Sequence, residues 1–181
     1  MFSVAADARN LLGECPIWCE RTRRIYWTDI EGSELLALEE DTSVVMRWSL
    51  PERLGSFALT ENPDVLLMGL ASRFAFCDLN TGTFMPIVAS PGGPGTRTGD
   101  GRCDREGNFV FGTMDDGYPA KVIGRFHRLN AATLSIETLP LPEVAIPNSI
   151  CFSPDGSTMY YCDSMQGRIL CCDYPTMNNQ R

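Results

Sequence analysis

Two residues able to offer hard oxygen to a cation open comparable stretches of this 181-residue chain: Glu14, after Gly13, and Asn148, after Pro147. A carboxylate paired with an amide oxygen suits Ca2+, Mg2+ or Mn2+ and tolerates Zn2+. Arg97 is delivered by the flexible run SPGGPGTRT, Ser90 to Thr98, and its planar fork of donors suits the hydroxyl or carboxylate oxygens of a small polar substrate. Taken singly, each has a plainer reading: Glu14 as a solvated loop carboxylate, Asn148 as a turn residue, Arg97 as a surface cation. Chemistry requires a fold that gathers the heads of distant segments.

Such a fold is written in a repeat. PNSICFSPDGSTMYYCDS, Pro147 to Ser164, followed by GRILCCDYP from Gly167, reads as three strands. Pro154-Asp155-Gly156 makes the first turn, with proline presetting φ and glycine free to take φ > 0. The same unit recurs upstream. Glu14 to Trp18 leads into Arg24 to Asp29 and then Leu35 to Leu38; Gly55 to Leu59 into Val65 to Leu70 and Phe74 to Asp78; Gly99 to Asp104 into Asn108 to Met114 and Arg125 to Leu129. With Gly13, Gly55, Gly99 and Asn148 as equivalent points, the intervals are 42, 44 and 49 residues, the period of a propeller blade. The expectation is an all-β chain forming one partial propeller domain, with blade units at about 13–50, 55–90, 97–135 and 147–181. In a propeller the innermost strand of each blade lines the central channel, so Glu14 and Asn148 would converge there.

Two stretches test this phase. Glu34 to Glu40 has helical propensity, but an isolated helix that short is marginal, and the repeat places a strand there. Ser90 to Thr98 could be a linker, yet the pattern resumes in phase beyond it, as for a long loop between blades. Met1 to Leu12 has weak strand character, suited to pairing into a last blade.

The formal charge of −8 and pI near 4.6, with scattered Lys and Arg, argue against nucleic acid and anionic membrane surfaces as partners. No run approaches the ~18 apolar residues of a membrane span, and the first ten residues do not read as a signal peptide. The eight cysteines then read as reduced, mostly buried thiols in a cytoplasmic protein. With His127 the single histidine, a Cys/His zinc site is disfavoured. Asp29, Asp78, Asp163 and Asp173 each close a strand and read as turn acids repeated per blade, and Asp115-Asp116 as a solvated turn.

GECPIW (Gly13 to Trp18), RTGDGRCDREGNFVFGTM (Arg97 to Met114) and PNSICFSPDGSTMYYCDS together resemble the gluconolactonase and regucalcin (senescence marker protein) family. The last of these, with GNFVFGTMDDG, is most similar to its bacterial sugar-lactonase members. The resemblance follows the family's order along nearly the whole chain. It implies a six-bladed β-propeller, represented here by about four blades, with one divalent metal (Ca2+, Zn2+, Mg2+ or Mn2+) on the axis and hydrolysis of sugar lactones to aldonic acids. By position, Glu14 and Asn148 match metal ligands and Arg97 a lactone-binding arginine. Gly99 stands at a substrate-binding place where the family usually has asparagine, while Asp100 and Asp104 keep the rest of that motif as turn and structural acids. The third ligand, an aspartate also proposed as the base, is expected beyond Arg181. The resemblance therefore implies a lactonase at full length and, for this chain alone, poor metal binding with weak or no turnover. A calcium-binding regulatory protein and a non-catalytic propeller module stay open as alternatives.

Overall fold

A computed structural model describes residues 3–42 and 44–174, and its strands alternate as the sequence pattern requires: Met159 and Tyr161 are buried around an exposed Tyr160. The first antiparallel sheet holds β1 (Gly13–Cys19), β2 (Arg24–Asp29), β3 (Glu34–Glu39) and β4 (Val45–Ser49), in that order. The second holds β5 (Leu54–Leu59), β6 (Val65–Leu70), β7 (Arg73–Asp78) and β8 (Thr83–Ala89). The third holds β9 (Thr96–Cys103), β10 (Phe109–Asp115), β11 (Arg125–Leu129) and β12 (Ile136–Thr138). The fourth holds β13 (Pro147–Phe152), β14 (Thr158–Asp163) and β15 (Arg168–Asp173). Residues 175–181, which the repeat assigns to the fourth unit, lie outside the described residues. Glu34–Glu39 is a strand, because β2 and β4 pair with it on both sides and Leu35 to Leu38 are all buried, Leu35 and Ala37 against the second sheet.

These are four blades of a propeller. Side chains fill each space between neighbours: Tyr26, Leu35 and Ala37 meet Phe57 and Met68 between the first two sheets; Phe74 meets Phe109 and Phe111 between the second and third; Val110 and Phe126 meet Phe152, Met159 and Tyr161 between the third and fourth. Each fully buried aromatic or aliphatic side chain contributes roughly 1.5–3 kcal/mol. The inner strands β1, β5, β9 and β13 pack successively against one another and surround the axis. Hydrogen bonds stitch them together. Thr28 Oγ1 donates to Leu54 O (2.9 Å), and Ser56 Oγ donates to Gly99 O (2.8 Å). Arginine straps hold the far ends. Arg21 donates to the carbonyls of Thr60 and Glu61, and Arg105, at the matching place two blades on, donates to those of Phe152 and Ser153.

The last blade with which the leader is expected to pair is not among the four described. Residues 3–12 form no strand pairing; Asn10 Oδ1 accepts the Trp27 indole N–H (2.9 Å), and Ala8 O accepts from Arg47 (2.7 Å), so the segment lies along the first sheet. Among the described residues no helix is long and apolar enough to cross a membrane. All eight cysteines are free thiols, but Cys151 and Cys171 are exposed, which corrects the expectation of general burial. They sit on the outer face of the fourth sheet, paired laterally through Tyr160.

His127 is structural. Its ring lies between Thr113 Oγ1 (3.0 Å) and Thr138 Oγ1 (3.1 Å) and stacks on Phe111. Burial, helped by Arg125, pushes its pKa down to about 4. The unfolded imidazole titrates near 6.5, so between roughly pH 4 and 6.5 the unfolded chain takes up a proton that the native chain refuses. Stability carried by neutral His127 is thus complete above about pH 6.5 and declines as pH falls toward 4, by no more than about 3 kcal/mol. Urea midpoints of the wild type should drop more between pH 7 and 4.5 than those of His127→Gln; equal drops would assign the loss to carboxylates.

Candidate metal and substrate site

One device is repeated on every inner strand. In β1, Glu14 pairs with Thr28 and Ile17 with Tyr26; in β5, Leu54 pairs with Leu70 and Ser56 with Gly69. In β9, Thr98 pairs with Thr113 and Gly101 with Phe111; in β13, Asn148 pairs with Cys162 and Cys151 with Tyr160. Each inner strand therefore carries one extra residue, a β-bulge, at the same end of the blade. Bulges re-aim side chains and bend strands away from regular pairing. Those after Glu14 and Asn148 place Cys15 (φ 53°) and Ser149 (φ 60°) in the left-handed region, uncommon for residues with a side chain and concentrated at functional positions.

Two carboxylates hold the chain just ahead of these bulges. Asp29, closing β2, accepts the N–H groups of Leu11 and Leu12, both at 2.9 Å. Asp163, closing β14, accepts those of Ala145 (3.0 Å) and Ile146 (3.1 Å). Desolvation opposes ionisation at both, but the N–H donors outweigh it and hold both pKa values below the ordinary range. They keep their expected turn chemistry, Asp29 accepting from Gly32 N (3.2 Å) and Asp163 from Met165 N (3.1 Å), and in addition clamp the entry to Glu14 and Asn148. Asp78 likewise follows turn chemistry, accepting from Asn80 and Thr81.

Glu14, Arg97, Gly99 and Asn148 all border one cavity of about 320 Å³, together with Asp100 and an apolar lining that includes Leu12, Ile30, Met114 and Ile146. A larger hollow of about 890 Å³, at the opposite ends of the second and third inner strands, contains none of them. Asn148 commits its amide nitrogen to Ser164 Oγ (2.8 Å), which leaves the amide oxygen for a ligand. Glu14 keeps solvent contact at the rim, yet partial desolvation, and then the charge of Asp100, raise its pKa. Desolvation likewise raises Asp100.

Asp100 does more than make a turn. Its Oδ2 accepts the Ile150 N–H at 3.1 Å, binding the third blade to the bulge that carries Asn148. Asp116 is not a free turn acid either: it pairs with Arg53 at 2.5 Å and with Arg97 at 3.6 Å. Arg97 is drawn inward, its pKa lowered by burial and by Arg53, and Nη1 donates to Thr98 O (3.1 Å). At Gly99 an added Cβ would stand 3.8 Å from Gly112 O, Met114 Sδ and Pro147 O, so the missing side chain leaves real space.

The donor set of this cavity is hard oxygen, and the charge of Asp100 adds to the cost of ionising Glu14, a cost that a divalent cation relieves. It is also incomplete as a cage: among the described residues no three His, Cys, Asp or Glu side chains converge. Glu14 and Asn148 fit as two ligands of a hard ion.

Comparison with known proteins places this geometry. The chain is 53% identical over 173 residues to the L-arabinolactonase of Azospirillum brasilense, covering 95% of this chain and 57% of that protein. It is 30% identical over 156 residues to the 6-deoxy-6-sulfogluconolactonase of Pseudomonas putida, covering 86% and 52%. Among solved structures, the calcium-binding protein regucalcin from Agrobacterium tumefaciens superposes with a TM-score of 0.83 at 27% identity, over 92% of this chain and 55% of that one. The chain thus spans a little over half the length of these relatives. The model of the SMP-30/Gluconolactonase/LRE-like region matches residues 12–181, so the bulged inner strands, their clamps and the cavity they enclose belong to a member of that family.

Proposed function

We propose that the protein is a lactonase that opens sugar lactones to aldonic acids with the help of a divalent cation held by Glu14 and Asn148. The observation that carries the reading is convergence: Glu14 and Asn148, far apart in the chain, and Arg97 between them border one cavity, the first two on matching bulges. The lactonase relatives named above support the substrate class.

Lactone hydrolysis adds water across the acyl C–O bond, and negative charge gathers on the carbonyl oxygen. A bound divalent cation supplies Lewis acidity toward that oxygen. Within this chain, Glu14 and Asn148 are the oxygen ligands, and Asp100 fixes the bulge behind Asn148. Arg97 presents its unengaged guanidinium donors to the lactone's oxygens. The apolar lining limits water around the ring, and the space beside Gly99 takes the bulkier end of the lactone or ordered water. By family resemblance the water-activating role falls to an aspartate that is not assigned to a residue of this chain. Free thiols accord with a reducing, cytoplasmic setting.

A calcium-binding role is the second reading, favoured by the same oxygen donors and by the likeness to the calcium-binding protein regucalcin. Acid release from L-arabinonolactone, with and without EDTA and with Ca2+, Mn2+ or Zn2+ restored, separates the two. Slow but EDTA-sensitive hydrolysis above the spontaneous rate is the expected result. Metal binding without hydrolysis would favour the calcium protein; neither would leave a propeller scaffold.

A further inference from the structure

We propose that Asp116 is a positioning residue for Arg97, with Arg53 as the charge that balances it; this rests on the reading of Arg97 as the lactone-binding arginine. The Arg97 side chain is only 11% exposed. Its Nε faces Asp116 Oδ1 at 3.6 Å and its Nη1 donates to Thr98 O at 3.1 Å. Nη2 makes no hydrogen bond with the described residues, so two contacts orient the guanidinium and its remaining donors serve the cavity that Arg97 borders.

Asp116 can do this because it is itself held. Its N–H donates to Gly95 O at 2.9 Å, across the mouth of the third blade. The preceding Asp115 ties the loop down by accepting from Gly117 N (3.3 Å) and Lys121 N (2.9 Å). The second oxygen of Asp116 takes Arg53 Nη2 at 2.5 Å, and Arg53 Nη1 lies 3.6 Å from Glu31 Oε1. One carboxylate thus faces two guanidiniums, and the chain of charges reaches from the first blade to the third. Without the Asp116 charge, Arg97 loses the ion pair at its Nε and Glu31 alone is left beside Arg53, so the Arg97 fork swings from the lactone-binding direction. Charge fixes one end of the arginine; geometry delivers the other.

The test is Asp116→Asn, nearly the same shape without the charge, with Asp116→Glu as the conservative variant. With L-arabinonolactone, Asp116→Asn should raise KM about tenfold while kcat stays within about threefold, since the contact concerns ground-state and transition-state binding alike. Asp116→Glu should recover most of the loss. A second readout does not depend on turnover. In 15N-labelled protein the Arg97 Nε–H resonance, identified by its disappearance in Arg97→Lys, should be sharp and slowly exchanging in the wild type and broadened in Asp116→Asn. An unchanged KM and an unchanged Nε resonance would overturn the proposal. Failure of the wild type to hydrolyse the lactone would instead count against the functional reading, and the resonance alone would then decide whether Asp116 holds Arg97.

Discussion

Glu14→Gln is expected to remove lactone hydrolysis by at least 100-fold, about 3 kcal/mol of transition-state stabilisation, while leaving the fold intact or slightly more stable. The substitution keeps the side chain's shape and removes its charge. A hard cation then retains an amide from Glu14 and an amide from Asn148, a poor set beside carboxylate. The stability side follows from the cavity's electrostatics. Desolvation and Asp100 raise the pKa of Glu14 in the metal-free chain, so the charge that binds metal is held at a cost that glutamine does not carry. Activity and the urea midpoint should therefore move in opposite directions. Parallel losses would mark Glu14 as a structural residue and undo its role as ligand.

Gly55→Ala should produce a large structural effect beside the cavity. Gly55 is the extra residue of the β5 bulge, and a Cβ there would stand 2.5 Å from Thr98 O, 2.8 Å from Thr98 C and 2.9 Å from Gly99 O. All three are backbone atoms of the neighbouring inner strand, so no rotamer change relieves the overlap; β5 and β9 must part. The move also breaks Ser56 Oγ–Gly99 O and disturbs Thr98 Oγ1, which lies 2.9 Å from both Gly69 O and Leu70 O. The expected cost is about 3 kcal/mol, a fall of roughly 6–12 °C in Tm for a domain of this size. Gly99→Ala supplies the contrast within the same cavity. Its Cβ meets nothing closer than 3.8 Å and its φ is not left-handed, so it should change Tm by no more than a few degrees. Similar losses in both variants would deny that close strand approach is what makes Gly55 glycine.

The blades were legible because burial alternates with period two and turn residues recur. Pro154-Asp155-Gly156 forms its turn, with Gly156 at φ 74° and its N–H on Ser153 O. The phase of the repeat, together with family resemblance, singled out Glu14, Arg97, Gly99 and Asn148, and the fold gathers these four at one cavity. What sequence could not convey was the device that aims them. A bulge needs one extra residue on one strand, and Cys15 and Ser149 adopt positive φ without being glycine, so nothing in their identity announces the turn. Nor could it show that Asp29 and Asp163, unlike Asp78, hold distant backbone as well as their own turns, since all three close strands. Their difference lies in partners distant in sequence: Asp29 reaches back 17 and 18 residues, to Leu12 and Leu11, and Asp78 forward two and three. Asp116 is exposed, as a turn acid is expected to be, but its ion pairs were hidden for the same reason, Arg53 and Arg97 coming from elsewhere in the chain. The leader, with no last blade among the described residues to join, is held instead by side-chain anchoring through Asn10 and Trp27.

The central claim is that Glu14 and Asn148 act as ligands of one ion, and anomalous diffraction from crystals of this chain soaked in Mn2+ reads it directly. The expected result is a single strong peak in the cavity, within about 2.5 Å of both a Glu14 carboxylate oxygen and Asn148 Oδ1, and its loss in Glu14→Gln. A peak bound to only one of the two, or Mn2+ found solely elsewhere on the chain, would contradict it.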